Sequence, residues 1–70
     1  MISYKKLFKL MIDQDIKKTQ LAEEANITRQ TLSRLVKDQI VSLEAIDRIC
    51  AVLNCQPGDI LEFIPDKPTE

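Results

Sequence analysis

A chain of 70 residues has room for one small domain, and its 44% hydrophobic and 30% charged residues are typical of a folded protein. With no histidine and two cysteines it cannot build a four-ligand Cys/His zinc site within one chain. The net charge of −1 hides an asymmetry, because residues 1–37 carry eight basic and four acidic side chains, whereas residues 38–70 carry two and seven.

A basic half suits contact with phosphates, and an acidic half suits solubility or contact with a partner. A chance asymmetry in a small domain is the alternative. The apolar runs are too short to cross a bilayer, and lysines interrupt the N-terminus, unlike a secretory signal. We therefore expect a cytoplasmic protein.

The chain begins with a predicted helix from Tyr4 to Asp13, for which Ser3 can serve as the N-cap. Its apolar positions recur at helical spacing. They are Tyr4, Leu7, Phe8, Met11 and Ile12. The other face carries Lys5, Lys6 and Lys9, where a solvated lysine surface is a commoner explanation than phosphate contact.

Two further short helices are predicted between Lys18 and Lys37, joined by a tight turn at Asn26-Ile27. Their inward stripes are Leu21, Ala22 and Ala25, followed by Leu32, Leu35 and Val36. Asn26 tolerates the left-handed conformation that ends a helix, and Thr28 is a good N-cap for the next. The face opposite the second stripe contains no apolar or acidic residue. It carries Gln30, Ser33, Arg34 and Lys37.

A loop over residues 37–41 leads to a fourth helix, from Leu43 to Leu53, with Ser42 as its N-cap. Apolar residues cover much of its circumference, so we expect it to be buried on more than one side. Asn54 suits its C-terminal end, and Pro57 suits the first position of a short fifth helix. The polar tail at residues 65–70 is expected to be mobile, which leaves one domain over residues 1–64.

The stretch from Lys18 to Lys37 resembles the helix-turn-helix of the phage-repressor family, the Cro and lambda-repressor type also called the XRE family. The resemblance covers roughly residues 4–62: Ala22 lies where the family packs its two helices closely, Leu32 and Leu35 where it has apolar anchors, and Asn26 where it usually has Gly. One departure is Lys17-Lys18 ahead of Thr19-Gln20, which replaces a capping hydroxyl by positive charge.

This resemblance implies an all-α bundle of five short helices of the lambda-repressor-like type. It also implies a bacterial or phage-derived transcriptional regulator that binds duplex DNA as a homodimer at a pseudo-palindromic site. The residues themselves disfavour an enzyme, since no histidine activates a cysteine and Glu23-Glu24 diverge around a helix. Single-stranded nucleic acid is disfavoured by the scarcity of aromatic side chains.

In a complex with duplex DNA, the polar residues of this region would have two different roles. Arg34 can pair with guanine and Gln30 with adenine, so these two are candidates for base contacts together with Ser33. The family resemblance adds Arg29 to the candidates for base contacts. Contacts that position the protein on phosphates are expected from Lys17, Lys18, Thr28, Thr31 and Lys37. An ordinary polar helix surface is the alternative for each of these residues taken singly.

The acidic half and the Phe63-Ile64 pair keep a second hypothesis open, that of a protein-interaction module such as an antitoxin-like or accessory subunit. Phe63 and Ile64 favour a short β-strand that pairs with a second copy or with residues 1–3. Alternatively they fold back onto their own core. Cys50 and Cys55 are interpreted as packed free thiols and not as a redox pair, and no cofactor, metal, membrane or small-molecule ligand is indicated.

Overall fold

The computed structural model describes residues 1–65. Four α-helices form the body: α1 (Lys5–Asp13), α2 (Lys18–Ala25), α3 (Arg29–Val36) and α4 (Leu43–Leu53). Two short strands, β1 (Ile2–Ser3) and β2 (Glu62–Phe63), form a two-stranded antiparallel sheet. The predicted mobile tail, apart from Pro65, lies outside the described residues. Within residues 1–65 no helix is long and apolar enough to cross a membrane.

The predicted helical fold is confirmed, with one difference at the fifth helix. This segment is a single 3₁₀ turn at Pro57–Asp59, in which Pro57 takes the first position as predicted. The Asp59 carboxylate accepts the Gln56 N–H at 3.0 Å, so the turn is closed by its own side chains. Ile60 is then fully buried, and the chain becomes extended at β2 instead of continuing as a helix.

Asparagine and aspartate end every α-helix of residues 1–65 in place of glycine. Asp15, Asn26, Asp38 and Asn54 have φ between 55° and 58°, the left-handed region. After each of them the next N–H reaches back five residues, as in Ile27 to the Ala22 carbonyl (3.0 Å) and Gln39 to the Arg34 carbonyl (2.8 Å). These bonds satisfy carbonyls that a helix end would otherwise leave unpaired.

The N-caps of α3 and α4 are those predicted from the sequence. The hydroxyl oxygens of Thr28 and Ser42 accept the N–H groups of Thr31 and Ala45, each at 3.1 Å. The prediction for α1 was wrong by one residue, because Tyr4 occupies the N-cap position and the helix starts at Lys5.

A carboxylate from elsewhere in the chain bonds to the backbone just before α1. The Tyr4 N–H donates to Asp38 Oδ1 at 2.9 Å, while the Ser3 hydroxyl accepts the Lys5 N–H at 3.3 Å. Asp38 thus accepts the N–H of the N-cap residue itself, whereas Ser3, which belongs to β1, accepts the N–H of the first helical residue.

The core lies where α4 meets the other helices. Every α-helix contributes a fully buried large side chain, and so do the residue before α1 and the residue after the 3₁₀ turn: Tyr4, Leu7, Leu21, Leu35, Ile49, Leu53 and Ile60. Two predicted stripe residues are outside it, since Ile12 is 77% exposed and Val36 is 49% exposed. Both follow a buried residue directly, and the 100° step per residue turns them away from the core.

The sheet brings the two ends of the described chain together. Ile2 lies opposite Phe63 and Ser3 opposite Glu62. Met1 and Ile64 exchange two hydrogen bonds, from the Met1 amino group to the Ile64 carbonyl (2.7 Å) and from the Ile64 N–H to the Met1 carbonyl (2.8 Å). Of the predicted alternatives for Phe63-Ile64, the strand with residues 1–3 is therefore present. Phe63 does not fold into the core, because 70% of it is exposed.

Candidate DNA-binding surface

Helix α3 has one buried and one exposed side. Leu35 is fully buried and Leu32 is half-buried against the core. The predicted base-contact residues are all exposed: Arg29, Gln30, Ser33 and Arg34. Lys37, directly after the helix, is exposed as well. The structure thus presents, on a helix anchored by leucines, a row of side chains that can bond to base edges or phosphates.

The turn between α2 and α3 is stabilised by its backbone conformation and by hydrogen bonds to α2 and α4. Asn26 adopts the left-handed conformation, as predicted, and the Ile27 N–H closes the end of α2. The Arg48 guanidinium on α4 donates to the Asn26 carbonyl at 3.1 Å and to the Glu44 carboxylate at 3.0 Å. Sequence analysis missed Arg48, whose only signal was its i, i+4 spacing from Glu44. Arg48 therefore links the turn of the helix-turn-helix to α4 by a hydrogen bond.

A groove of about 660 Å³ runs between α2 and α3. Its lining includes Arg29, Ser33 and Val36 from α3, together with Thr19 and Glu23 from α2. Gln30 and Arg34 are not among its lining residues, so the four predicted base contacts occupy two parts of the helix surface. Val36 was predicted as core, yet it is half-exposed in this groove, where an apolar side chain suits a thymine methyl group.

The predicted phosphate contacts are arranged around the two helices. Lys17 and Lys18 are exposed at the start of α2, where no side chain caps the helix. The Lys18 ammonium lies 5.4 Å from the centre of the Phe8 ring. The N–H groups of the first turn of α2 have no partner within the helix, and the positive end of its dipole adds to the charge of the two lysines.

The two threonines bond to each other as well as to the backbone. The Thr28 and Thr31 hydroxyl oxygens are 3.1 Å apart, in addition to the capping bond. Thr28 is exposed and Thr31 is half-buried. Their structural role is to start α3, and phosphate contact by either hydroxyl stays a prediction.

The cysteines lie where α4 ends. Both are free and half-buried, and the Cys55 N–H donates to the Cys50 carbonyl at 3.1 Å because the helix stops instead of continuing. Burial, followed by the neighbouring Cys50 thiol, raises the pKa of Cys55 from 9.0 to about 11. A thiol with such a pKa is protonated at neutral pH and reacts slowly. Residues 1–65 contain no cluster of three or more potential metal ligands.

These features define a helix-turn-helix domain, and sequence comparison identifies its family. Residues 6–66 match the Cro/C1-type helix-turn-helix DNA-binding domain, so the chain belongs to that family. The predicted resemblance is therefore confirmed. The family is a DNA-binding domain and not a class of enzymes, in agreement with the prediction against an enzyme.

The chain is similar to two proteins that are named as transcriptional regulators. It is 43% identical over 53 residues to the uncharacterized HTH-type transcriptional regulator YozG of Bacillus subtilis (strain 168), and the match covers 73% of this chain. The chain spans 63% of the length of that relative. The crystal structure of the transcriptional regulator VanUg superposes with a TM-score of 0.89 at 45% identity, covering 93% of this chain and 87% of VanUg.

Proposed function

We propose that this protein is a sequence-specific transcriptional regulator that binds double-stranded DNA by inserting α3, around residues 29–36, into the major groove. The observation that carries the proposal is the exposed polar and basic side of a helix whose other side is held by buried Leu35. Membership of a DNA-binding family and similarity to two proteins named as transcriptional regulators support it.

In this proposal the specificity comes from the α3 side chains. Arg34 donates two hydrogen bonds to a guanine edge, and Gln30 pairs with an adenine edge. Arg29 and Ser33 contact bases from the groove beside α2, where Val36 is close enough along the helix to join them. Asn26 and Arg48 hold the turn rigid, so α3 enters the groove as a preformed element.

Affinity that does not depend on sequence comes from the residues around α3. Lys17, Lys18 and Lys37 bring positive charge to the phosphates, and Thr28 and Thr31 offer hydroxyl groups. Within residues 38–65 the acidic side chains lie outside α2 and α3, so a net charge of −1 is compatible with DNA binding through these two helices. We further propose that the protein acts in the bacterial cytoplasm, at the nucleoid, as a homodimer on a pseudo-palindromic site.

The exposure of the Phe63 side chain supports a second candidate function, that of a protein-interaction module such as an antitoxin-like or accessory subunit. A gel shift against a pool of random-sequence duplexes, at low and at moderate salt, separates the two functions. The regulator is expected to retard duplex at low salt and to retain a selected fraction at moderate salt. Absence of a shift at both salt concentrations would contradict DNA binding and favour the interaction module.

A further inference from the structure

Another groove, with a volume of about 540 Å³, lies between the end of α1 and the start of α2. Its apolar walls are formed by Phe8, Met11, Ile12 and Ile16. Met11 is buried and Phe8 and Ile16 are half-buried, but 77% of Ile12 is exposed. A concave surface that is mostly apolar and has only a few polar groups is typical of a site for a small ligand.

The way in which α1 ends gives this groove its shape. Asp15 has a left-handed φ of 58°, and the Ile16 N–H donates to the Met11 carbonyl at 2.9 Å. A helix end of this kind folds the residue after the turn back towards the last turn of the helix. Ile16 therefore lies beside α1, and Lys17 and Lys18 follow it directly at the start of α2.

The charged side chains that line the groove are both basic. Lys17 and Lys18 contribute to its lining, and no acidic residue among residues 1–65 does so. The Lys18 ammonium lies 5.4 Å from the centre of the Phe8 ring, so a positive charge is held over the aromatic wall. Within the described part of the chain neither lysine forms an ion pair with a carboxylate.

We propose that this groove binds a small amphiphile that carries one carboxylate on an apolar chain, such as a medium-chain fatty acid. The chain lies along Phe8, Ile12 and Ile16, and the carboxylate pairs with the ammonium groups of Lys17 and Lys18. A peptide helix suits the groove less well, because the wall from Phe8 to Ile12 rises only about 6 Å along α1, whereas a helix is about 10 Å wide.

Binding of such an acid has a consequence for DNA binding. Lys17 and Lys18 are also the proposed phosphate contacts at the start of α2, so a carboxylate paired with them competes with the duplex. The acid should therefore lower the affinity for all duplexes alike. This consequence rests on the proposed function, whereas binding of the acid does not and can be measured on the free protein.

Two-dimensional NMR of the free, full-length protein, titrated with octanoate, tests the site. The methyl signals of Met11, Ile12 and Ile16 are expected to shift saturably, with a dissociation constant of about 1 mM or tighter for a ligand of this size. Ile40 is the internal control, because 67% of it is exposed and it does not line the groove. Shifts of equal size at Ile40 would show unspecific adsorption of alkyl chains and overturn the proposal.

The chemistry of the ligand is tested with octanol and octylammonium, which carry the same chain with a neutral and a positive head. Each should bind at least about threefold more weakly than octanoate, because neither pairs with the lysines. Hexanoate should also bind more weakly, since each methylene group that leaves water improves affinity by up to about fourfold. Octylammonium or hexanoate that binds as tightly as octanoate would contradict the assigned ligand.

Two pairs of matched variants locate the site, with circular dichroism to verify that each variant is folded. Lys18→Ala should raise the dissociation constant for octanoate about threefold, whereas Lys37→Ala removes the same charge outside the groove and should leave it unchanged. Ile12→Ser should raise it about threefold as well, and Leu43→Ser, at a residue that is 84% exposed elsewhere, should not. Equal effects within either pair would refute the location.

Gel shifts in octanoate, compared with acetate at the same concentration to hold ionic strength constant, test the competition. Octanoate should weaken binding to every duplex. Ile12→Ser should bind DNA normally and require about threefold more octanoate for the same effect. Duplex affinity that is the same in octanoate and in acetate would overturn the competition. A protein that binds octanoate in the groove but retards no duplex would support the ligand site and refute the proposed function instead.

Discussion

The carboxylate oxygen of Asp38 and the backbone nitrogen of Tyr4 lie 2.9 Å apart, so the residue that closes the end of α3 also accepts the N–H of the N-cap residue of α1. Asp38 is in the left-handed conformation, and the N–H after it bonds to the Arg34 carbonyl. The end of the candidate recognition helix is in this way fixed to the N-terminal segment and to the sheet.

Substitution of Asp38 should separate its two roles. Asp38→Gly keeps the backbone conformation but loses the carboxylate that accepts the Tyr4 N–H, and it should lower the free energy of unfolding by about 1 kcal/mol. Asp38→Ala also forces a side chain with a β-carbon and no compensating hydrogen bond into the left-handed region, and it should cost about 1 kcal/mol more. Urea denaturation measures both changes.

Asp15 provides the control for this comparison, because it has the same left-handed φ and no side-chain hydrogen bond within residues 1–65. Asp15→Gly should be close to neutral and Asp15→Ala should be destabilising. If Asp38→Gly proves as harmless as Asp15→Gly, the bond to Tyr4 contributes nothing to stability.

Arg34 is expected to read a base. Arg34→Ala should cost about 1–3 kcal/mol of binding free energy on the best site and relax the preference at one base pair. Arg34→Lys keeps the positive charge but loses the planar pair of donors, so it should lose most of the same discrimination. Competition binding against single-base variants of the site measures this, and unaltered preference in both variants would show that Arg34 does not face the bases.

Lys18 is expected to contact phosphate. Lys18→Ala should weaken binding to all duplexes alike and reduce the slope of log K against log salt concentration by about one. Lys5→Ala is the matched control, because Lys5 is an exposed lysine on α1 outside the predicted contact set. A slope that responds to Lys5 and not to Lys18 would move the phosphate contacts to the face of α1.

The thiols are expected to react slowly and to leave function unaffected by reductant. Because the pKa of Cys55 is raised to about 11, its rate of alkylation should be low at neutral pH and should continue to rise above pH 9.0. The folded state holds this proton more tightly than the unfolded state, so the contribution to stability is complete below pH 9.0 and is lost as the pH rises towards 11.

Mass spectrometry of Cys50→Ser and Cys55→Ser variants after timed alkylation follows each thiol separately. Rapid labelling of native Cys55 at neutral pH, or DNA binding that changes with reductant, would contradict packed thiols.

The sequence was most informative where the cause of a structure is local. Thr28 and Ser42 were recognised as caps, and Asn26 as the turn residue, because each acts within a few positions of itself. The predicted start of α1 was wrong by one residue, and the carboxylate that accepts the Tyr4 N–H there, Asp38, is 34 residues away in the sequence. Arg48 escaped notice for the same reason, since its bond to Asn26 spans 22 residues.

The strand at residues 2 and 3 could not be assigned with certainty either. Two residues carry no periodic pattern, and its partner β2 comes from the other end of the chain. The exposure of side chains at the edge of an apolar stripe was equally hard to predict. Ile12 and Val36 were assigned to the buried stripes of their helices by spacing alone, yet both are exposed. How wide the buried face of a helix is depends on the elements that pack against it. Among the proposed base contacts, exposure is now observed and contact with DNA is not yet tested.

Selection of bound sequences from a random-sequence duplex pool tests the central claim most directly, namely that α3 reads duplex DNA. With the wild-type protein at moderate salt, we expect enrichment of one motif, and with Arg34→Ala we expect the same motif with one position relaxed. A wild-type protein that enriches no motif after repeated rounds, or an Arg34→Ala variant that enriches an identical motif with identical affinity, would contradict it.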